Sequence, residues 1–317
     1  MSETAPIGPA SLPGAALPAN GPGSAAKSAH GAEGGRAGGE AAEGEGAAAP
    51  QPPAPAPPPA PAPAPVTAPA PVTDGATTRP AWYAARPGAW RDWLTLLHPP
   101  YTAWHLSYVL IGAALAPRLH VERLLATLLA FGLAVGVGAH GLDELHGRPL
   151  QTSIGTPQLV AVSAAAIAGA ATLGVLGIRQ VGWGLGGFIL AGVVLVVGYN
   201  LELWNGRLHN RIVFAAAWGA FPLLTAYFAQ ASTIRGAAVA AAGFAFGMSW
   251  VQRGLSADAR DLRRRVVAAE GCLSYANGAT RHLTRSLLLA PLERALVALS
   301  WSMCLIGVAL VLARTGH

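Results

Sequence analysis

The most informative stretch of the sequence is residues 121–150, which reads VERLLATLLAFGLAVGVGAHGLDELHGRPL. Its first part is apolar apart from Glu122 and Arg123, and ~20 apolar residues suffice for a helix to cross a hydrocarbon core of about 30 Å. The stretch then changes to a polar run between His140 and Leu150. This pattern predicts a transmembrane helix that leaves the membrane at a group of ionisable side chains.

Six more stretches of similar length and composition occur in the chain. The approximate limits of all seven are 102–117, 121–140, 158–178, 181–199, 211–230, 234–252 and 292–313. Charged residues are almost absent inside them, and only 11% of the whole chain is charged against about 25% for a globular protein. We therefore predict an all-α fold, a polytopic transmembrane helical bundle of about seven to nine spans over residues 89–317.

Two segments next to the spans have a different character. Trp90, Trp93, Leu94 and Leu97 follow an i, i+3, i+4, i+7 pattern, which predicts a short helix at the membrane interface. Residues 266–290 combine charges with a run of leucines. We interpret this segment as an amphipathic surface segment, and an eighth span is the alternative.

The N-terminal part, residues 1–88, is a separate region by composition. It holds 19 of the 26 prolines, with four basic and six acidic residues, so the tail has a net charge of −2 and the remainder +8. Such a composition has too few apolar side chains to offset the entropy of ordering. We predict a disordered Ala/Gly/Pro-rich tail, which excludes a single soluble globule as the description of the whole chain.

The positive charges predict the orientation. With the N-terminal tail in the cytoplasm, twelve arginines fall in inside loops and five (118, 123, 179, 235 and 314) fall outside. This asymmetry predicts a multi-pass protein of the cell membrane, in contact with membrane lipid. Because topology accounts for the basic balance, nucleic acid is not expected as a partner.

The polar end of the second span is the first candidate site. His140, Asp143 and Glu144 share a helix face, and two adjacent carboxylates can hold Mg²⁺ together with phosphate oxygens. Arg148 can contact a phosphate as a planar fork. The alternative is an ordinary helix end with an acid paired to Arg148. A zinc site at His140 and His146 lacks further ligands.

Two later loops are predicted to lie on the same side of the membrane. Tyr199 and Asn200 end the fourth span and, with Glu202, either line the same cavity or form an ordinary polar turn. The loop after the sixth span offers two acids one turn apart among five arginines. Its residues of interest are Asp258, Asp261, Arg253 and Arg260. Arginine donors suit phosphate or lipid head groups, and topology determination alone is the alternative reading.

Several of these features together resemble the UbiA superfamily of intramembrane prenyltransferases. They are Leu96-Leu97-His98-Pro99-Pro100 before the first span, the acidic run after span two, Tyr199, Trp218-Gly219-Ala220-Phe221-Pro222 with Tyr227-Phe228-Ala229-Gln230, and the polar loop after span six. Members of this family are helical bundles with aspartate-rich motifs after helices two and six. Here the first motif reads His140-Gly141-Leu142-Asp143-Glu144, which departs from the Asn-Asp-x-x-Asp type, and the second is mostly basic.

The resemblance implies a function and roles for residues. It implies transfer of a prenyl group from a prenyl diphosphate to a lipid or aromatic acceptor. Asp143, Glu144 and Arg148 would act in catalysis, and the Mg²⁺ ligands would be Asp143, Glu144, Asp258 and Asp261. Substrate-binding residues would be His140, Tyr199, Asn200, Arg253 and Arg260. The alternative is a non-catalytic UbiA-like membrane scaffold or lipid-binding protein, which the weak second motif favours.

Overall fold

The computed structural model describes residues 79–86 and 88–316, and this part of the chain is mostly helical. The helices are α1 (Ala89–Leu96), α2 (Pro99–Ala114), α3 (Val121–Phe131), α4 (His140–Leu145), α5 (Thr156–Val181), α6 (Gly184–Asn200), α7 (Arg211–Ala215), α8 (Phe221–Ala231), α9 (Gly236–Arg264) and α10 (Arg285–Thr315). Two π-helical segments, Gly132–Ala139 and Ala216–Ala220, join α3 to α4 and α7 to α8. The predicted helical class is confirmed, with one small hairpin added to it.

Four helical segments in the described part are long and apolar enough to cross a membrane. They are Val121–Leu145, Thr156–Val181, Arg211–Ala231 and Arg285–Thr315. Among the other predicted spans, α6 is apolar but has 17 residues, α2 has 16, and α9 has 29 but carries four arginines in its second half. Each of the seven apolar stretches thus coincides with helix, while the count of seven to nine spans is not confirmed.

Close helix packing accounts for two of the glycines. α2 packs between α8 and α10, and a Cβ atom at Gly112 would collide with the backbone of Leu223 in α8. Likewise, a Cβ at Gly219 in the second π-helical segment would collide with the backbone of Ala245 in α9. Small residues let helices approach closely where no water drives association.

A buried hydrogen-bonded group lies at the centre of the bundle. Trp104 and Tyr108 of α2 are fully buried, and the Trp104 Nε1–H donates to the Tyr108 hydroxyl at 2.6 Å. Ser249 of α9 donates its hydroxyl to the same oxygen at 3.1 Å. These bonds fix α2 against α9 because buried polar groups are costly without partners.

The N-terminal region is described only from residue 79 onward. Most of the predicted disordered tail, residues 1–78, therefore lies outside the described residues. The last part of that region packs on the helices: Ala81 and Ala84 are buried, and the Ala85 N–H donates to Thr95 Oγ1 at 3.0 Å. The predicted short helix is present as α1, with Trp90 and Leu94 of its apolar face exposed, and its place at a membrane interface stays a prediction.

Residues 266–284 form no additional membrane span. Strands β1 (Cys272–Ser274) and β2 (Thr280–His282) pair in an exposed antiparallel hairpin. The leucines at 287–289 instead belong to the first turns of α10, which begins at Arg285. The predicted surface location holds, whereas the alternative of a further span is wrong because the chain turns back at Asn277-Gly278.

The bundle has two chemically different ends. At one end Arg123 donates to the Gln180 carbonyl at 3.1 Å, and Arg314 donates to the Pro117 carbonyl at 2.7 Å. Both arginines belong to the set that we assigned to the outside, and both donate to backbone carbonyls, Arg123 at the end of α5 and Arg314 in the turn after α2. The opposite end gathers the polar ends of α4, α6 and α9, and the candidate site lies there.

Candidate functional site

A polar cavity of about 300 Å³ opens at this second end of the bundle. It is lined from three directions, by the end of α4, the end of α6 and the second half of α9. It brings together seven residues predicted from the sequence, which are His140, Asp143, Tyr199, Asn200, Glu202, Arg253 and Arg260. Three helices that are distant in sequence thus form one site, hereafter the polar cavity.

The positive charge of the polar cavity comes from one face of α9. Arg253, Arg260 and Arg264 are seven and four residues apart, a spacing that aligns side chains on one helix face. The Arg253 guanidinium lies 5.3 Å from the centre of the Phe214 ring, and Arg260 Nη1 donates to Ser256 Oγ at 3.3 Å. A fourth arginine, Arg263, forms an ion pair with Glu293 of α10.

Three carboxylates line the cavity, and two of them are already paired. Glu293 pairs with Arg263, and Glu202 lies 3.7 Å from His146 and 3.6 Å from His209. Asp143 is half-buried and makes no hydrogen bond or ion pair with any residue of the described ranges. It is therefore the carboxylate that remains available to a ligand.

Glu144, the neighbour of Asp143, has a different position from the one expected. It is fully buried, and its carboxylate accepts hydrogen bonds from the Leu150 N–H, the Thr152 N–H and the Thr152 hydroxyl, each at 2.9 Å. Arg148 donates to the Ile154 carbonyl at 2.6 Å and to Thr156 Oγ1 at 2.9 Å. Both side chains fasten the loop before α5 and do not line the cavity.

A similar bond fastens this loop to α1. Asp92 accepts hydrogen bonds from the Ser153 N–H at 2.8 Å and from the Ser153 hydroxyl. Burial raises the pKa of Asp92, but the hydrogen bonds from Ser153 and Gly88 outweigh it, so the pKa lies below its usual value. The loop at 146–155 is thus held by acids on two sides.

The acids of the loop after span six also lie outside the cavity. Asp258 and Asp261 are exposed, and Asp261 lies 3.5 Å from the exposed Arg265. Within residues 79–86 and 88–316, no group of three or more His, Cys, Asp or Glu side chains is placed to hold a metal ion. The four predicted Mg²⁺ ligands are not brought together, and Asp143 alone faces the cavity.

Histidine and tyrosine rings form the walls of the polar cavity. His98 stacks on His140 with ring centres 4.1 Å apart, and Tyr199 stacks on His209 at 4.5 Å. His105 Nδ1 hydrogen-bonds the Trp218 carbonyl at 2.8 Å. His98 lies between α1 and α2. Burial lowers the pKa of His98 to about 4, so this ring is neutral near pH 7.

The segment before α1 covers one side of the cavity. Arg264 Nε donates to the Pro80 carbonyl at 3.2 Å, and the Tyr83 ring contacts the rings of His98 at 5.3 Å and Tyr101 at 5.5 Å between centres. Burial raises the pKa of Tyr83 well above its usual value, so its hydroxyl stays protonated. This segment was not predicted as part of the site, because residues 1–88 were all assigned to the tail.

One buried polar atom of the cavity wall, Gln252 Oε1, is without a hydrogen-bond partner in the described part of the chain. Unsatisfied buried groups are rare and call for an explanation such as a ligand or ordered water. The backbone is also unusual here, since His98 (φ 45°) and Glu202 (φ 49°) adopt left-handed conformations. Such conformations cluster at functional sites.

Sequence reasoning missed His98, Arg264 and Tyr83 as site residues. A signal was present for Arg264, because the spacing of the three α9 arginines places them on one helix face. His98 precedes two prolines, which marks a helix start but predicts nothing about its ring. Tyr83 gave no signal, since it lies beside the proline-rich region.

A second, apolar cavity of about 270 Å³ lies between α3, α5, α6 and α8. Phe131, Phe188 and Phe221 are among its lining residues. Val135 and Trp218 line both cavities and so form the wall between them. Each belongs to one of the two π-helical segments, and such segments are frequent at functional sites.

This architecture defines a helical protein with several apolar helices of membrane-spanning length and a basic, aromatic cavity at one end. Comparison with models of known protein families, with curated proteins and with solved structures gave no match. The functional argument therefore depends on the residues and on the geometry of the cavity.

Proposed function

We propose that the protein is an integral membrane prenyltransferase of UbiA-like type that binds a prenyl diphosphate in the polar cavity. It then transfers the prenyl group to a lipid or aromatic acceptor. The observation that carries the proposal is the meeting of Arg253, Arg260 and Arg264 with Asp143 and aromatic rings at the end of apolar helices. Arginine forks match phosphate oxygens, and the apolar helices suit a membrane-borne chain.

The reaction requires breaking the bond between the first prenyl carbon and the diphosphate oxygen. The electron pair leaves with the diphosphate, and the arginines stabilise the added negative charge. The allylic carbon becomes cationic, and the Asp143 carboxylate and the faces of the Tyr199 and Trp218 rings can stabilise it. A nucleophilic atom of the acceptor then bonds to this carbon, and its proton passes to an oxygen of the departed diphosphate.

The apolar cavity supports the lipid character of the ligand. It lies directly behind Val135 and Trp218, so a chain whose head occupies the polar cavity reaches this wall first. Burial of each CH₂ group contributes about 0.8 kcal/mol. An isoprenoid chain therefore gains affinity from the apolar helices while its head group supplies orientation.

The resemblance to the UbiA superfamily implies Mg²⁺, but the transfer reaction described above does not use a metal ion. When bound, Mg²⁺ would neutralise charge on the diphosphate, but such a site needs carboxylates in addition to phosphate oxygens. Asp143 is the sole predicted ligand at the cavity, because Glu144 fastens a loop and Asp258 and Asp261 are exposed. The described residues do not fit the expected metal site, and magnesium stays a prediction.

We further propose that the protein is a multi-pass protein of the cell membrane with its N-terminal tail in the cytoplasm. The polar cavity then faces the cytoplasm, where water-soluble diphosphate can leave. Support comes from the arginine asymmetry and from the position of Trp90 and Leu94, exposed on α1 at the same end as the cavity.

The test is prenyl transfer by the purified full chain, with a panel of prenyl diphosphates and candidate acceptors. We expect turnover with at least one pair, and a fall of about 10²- to 10³-fold for Asp143→Asn, by analogy with loss of one electrostatic stabiliser. Arg265→Gln, on the exposed surface beside Asp261, is the matched control and should leave the rate unchanged. Absence of both turnover and diphosphate binding would overturn the proposal.

A second candidate function is a non-catalytic scaffold or lipid-binding protein. It is favoured by Glu144 and Arg148, two predicted catalytic residues whose side chains are fully engaged in holding a loop. Binding of prenyl diphosphate without transfer to any acceptor, in the same experiment, would support this alternative.

A further inference from the structure

The polar cavity combines an excess of arginines with a shortage of acids. Of its three carboxylates, Glu202 and Glu293 are engaged with His146, His209 and Arg263. The remaining groups are Asp143 with its single negative charge, and the three arginines Arg253, Arg260 and Arg264. The cavity therefore carries a net positive charge before any ligand enters, which is the electrostatic setting of an anion site.

We propose that this cavity binds the diphosphate head directly through Arg253, Arg260 and Arg264, with no divalent cation required. The inference rests on the proposed function only for the nature of the ligand. It departs from the magnesium-dependent site that the resemblance implies, and it follows from where this chain places its charges.

The geometry leaves the arginines free to act as donors. Each guanidinium has five N–H donors. Arg260 uses one toward Ser256, and Arg264 uses its Nε toward the Pro80 carbonyl. Arg253 contacts the face of the Phe214 ring and lies beside the Tyr199 hydroxyl, which together hold its side chain in place. With five N–H groups on the guanidinium, further donors of Arg253 can reach a phosphate oxygen.

The same arrangement disfavours a metal ion. A divalent cation bound beside Asp143 would lie in the field of three arginines, with one unpaired carboxylate to offset them. The other three predicted Mg²⁺ ligands are not placed to join Asp143 in the cavity. Glu144 would give up three hydrogen bonds, and Asp258 and Asp261 lie outside the cavity on the exposed surface of α9.

The experiment measures binding to the full chain in detergent, with inorganic pyrophosphate and farnesyl diphosphate as separate probes. Each is titrated by calorimetry once in EDTA and once with MgCl₂. We expect a dissociation constant in EDTA that is within about threefold of that in magnesium, since charge-assisted bonds to arginine supply the affinity. Arg260→Gln should weaken binding by about tenfold to a hundredfold.

Two further variants keep the result interpretable. Arg260→Lys retains the charge without the planar fork, and we expect it to bind more weakly than wild type but better than Arg260→Gln. Arg265→Gln removes an exposed arginine outside the cavity and should bind as wild type does. Thermal unfolding of each variant shows whether the fold is retained, and Arg260→Lys replaces Arg260→Gln if the latter does not fold.

The outcomes separate the two proposals. Binding of farnesyl diphosphate only with magnesium overturns the metal-free site and leaves the proposed function standing. Binding of pyrophosphate but not farnesyl diphosphate in EDTA supports the arginine site and overturns the prenyl ligand. Failure of both probes under both conditions overturns both proposals. Binding that is unchanged in Arg260→Gln and Arg260→Lys overturns the arginine site and leaves the proposed function standing.

Discussion

Glu144 and Asp143 are adjacent carboxylates with opposite surroundings. Replacing each one in turn distinguishes a role in stability from a role in function. The Glu144 side chain is fully buried, and its two oxygens accept three hydrogen bonds from Leu150 and Thr152. Asp143 faces the polar cavity without such bonds. We therefore expect Glu144→Ala to reduce the stability of the fold, whereas Asp143→Asn should slow prenyl transfer without weakening binding of the diphosphate.

The size of the first effect can be derived from the contacts. A hydrogen bond to a charged group contributes about 1.5 to 3 kcal/mol, and the three buried donors would lose their acceptor together. Because the loop at 146–155 can relax, the losses are not additive, and we expect a total of about 3 to 5 kcal/mol. At about 2 to 4 °C per kcal/mol for a domain of this size, the midpoint of thermal unfolding should fall by roughly 6 to 20 °C.

Intrinsic fluorescence of the nine tryptophans reports the unfolding midpoint of the purified protein in detergent. Asp143→Asn is the matched control, since it removes one charge at the neighbouring position, and its midpoint should stay within about 2 °C of wild type. A Glu144→Ala midpoint equal to that of wild type would refute the assignment of Glu144 to the loop. So would a large loss of stability in Asp143→Asn.

Three more predictions follow from the cavity and the bundle. The pKa of His98 is about 4 in the folded protein and about 6.5 in the unfolded chain. Between these pH values the unfolded chain binds a proton that the folded protein does not, so the free energy of unfolding is highest above pH 6.5 and falls as the pH falls toward 4. His98→Asn should flatten this dependence in melting experiments between pH 4 and 7, and an unchanged slope would contradict it. Trp218→Leu opens the wall shared with Val135, so affinity for longer prenyl diphosphates should rise by about tenfold relative to shorter ones in binding assays; equal changes for all lengths would count against it. A topology reporter fused after Arg265 should give a cytoplasmic signal, and an outside signal would reverse the proposed orientation.

The apolar pattern of the sequence predicted the helices well because long apolar segments have few alternatives in a membrane. The stretch at 158–178 corresponds to α5 and that at 211–230 to the segment Arg211–Ala231. For Tyr199, the sequence allowed either a position in the same cavity as Asp143 or an ordinary polar turn, and the structure shows the first. The C-terminal ends of α4 and α6 meet because helices in a bundle that cross back and forth bring every second end to the same side.

The roles of individual polar residues were harder to predict from the sequence. The partners of Glu144 are two backbone N–H groups and one hydroxyl in a loop, and nothing in the pattern of side chains marks them. Asp258 and Asp261 lie on the exposed side of the helix whose other face carries the arginines, so their one-turn spacing did not place them at the site. Burial and partners, which depend on tertiary packing, decided these roles.

An experimental structure of the full chain with bound farnesyl diphosphate tests the account most directly. We predict that the diphosphate lies within about 3 Å of the guanidinium groups of Arg253 and Arg260, with the prenyl chain directed toward Trp218. A diphosphate bound instead on the exposed surface at Asp258 and Asp261, or at the opposite end of the bundle near Arg123, would contradict the placement of the site.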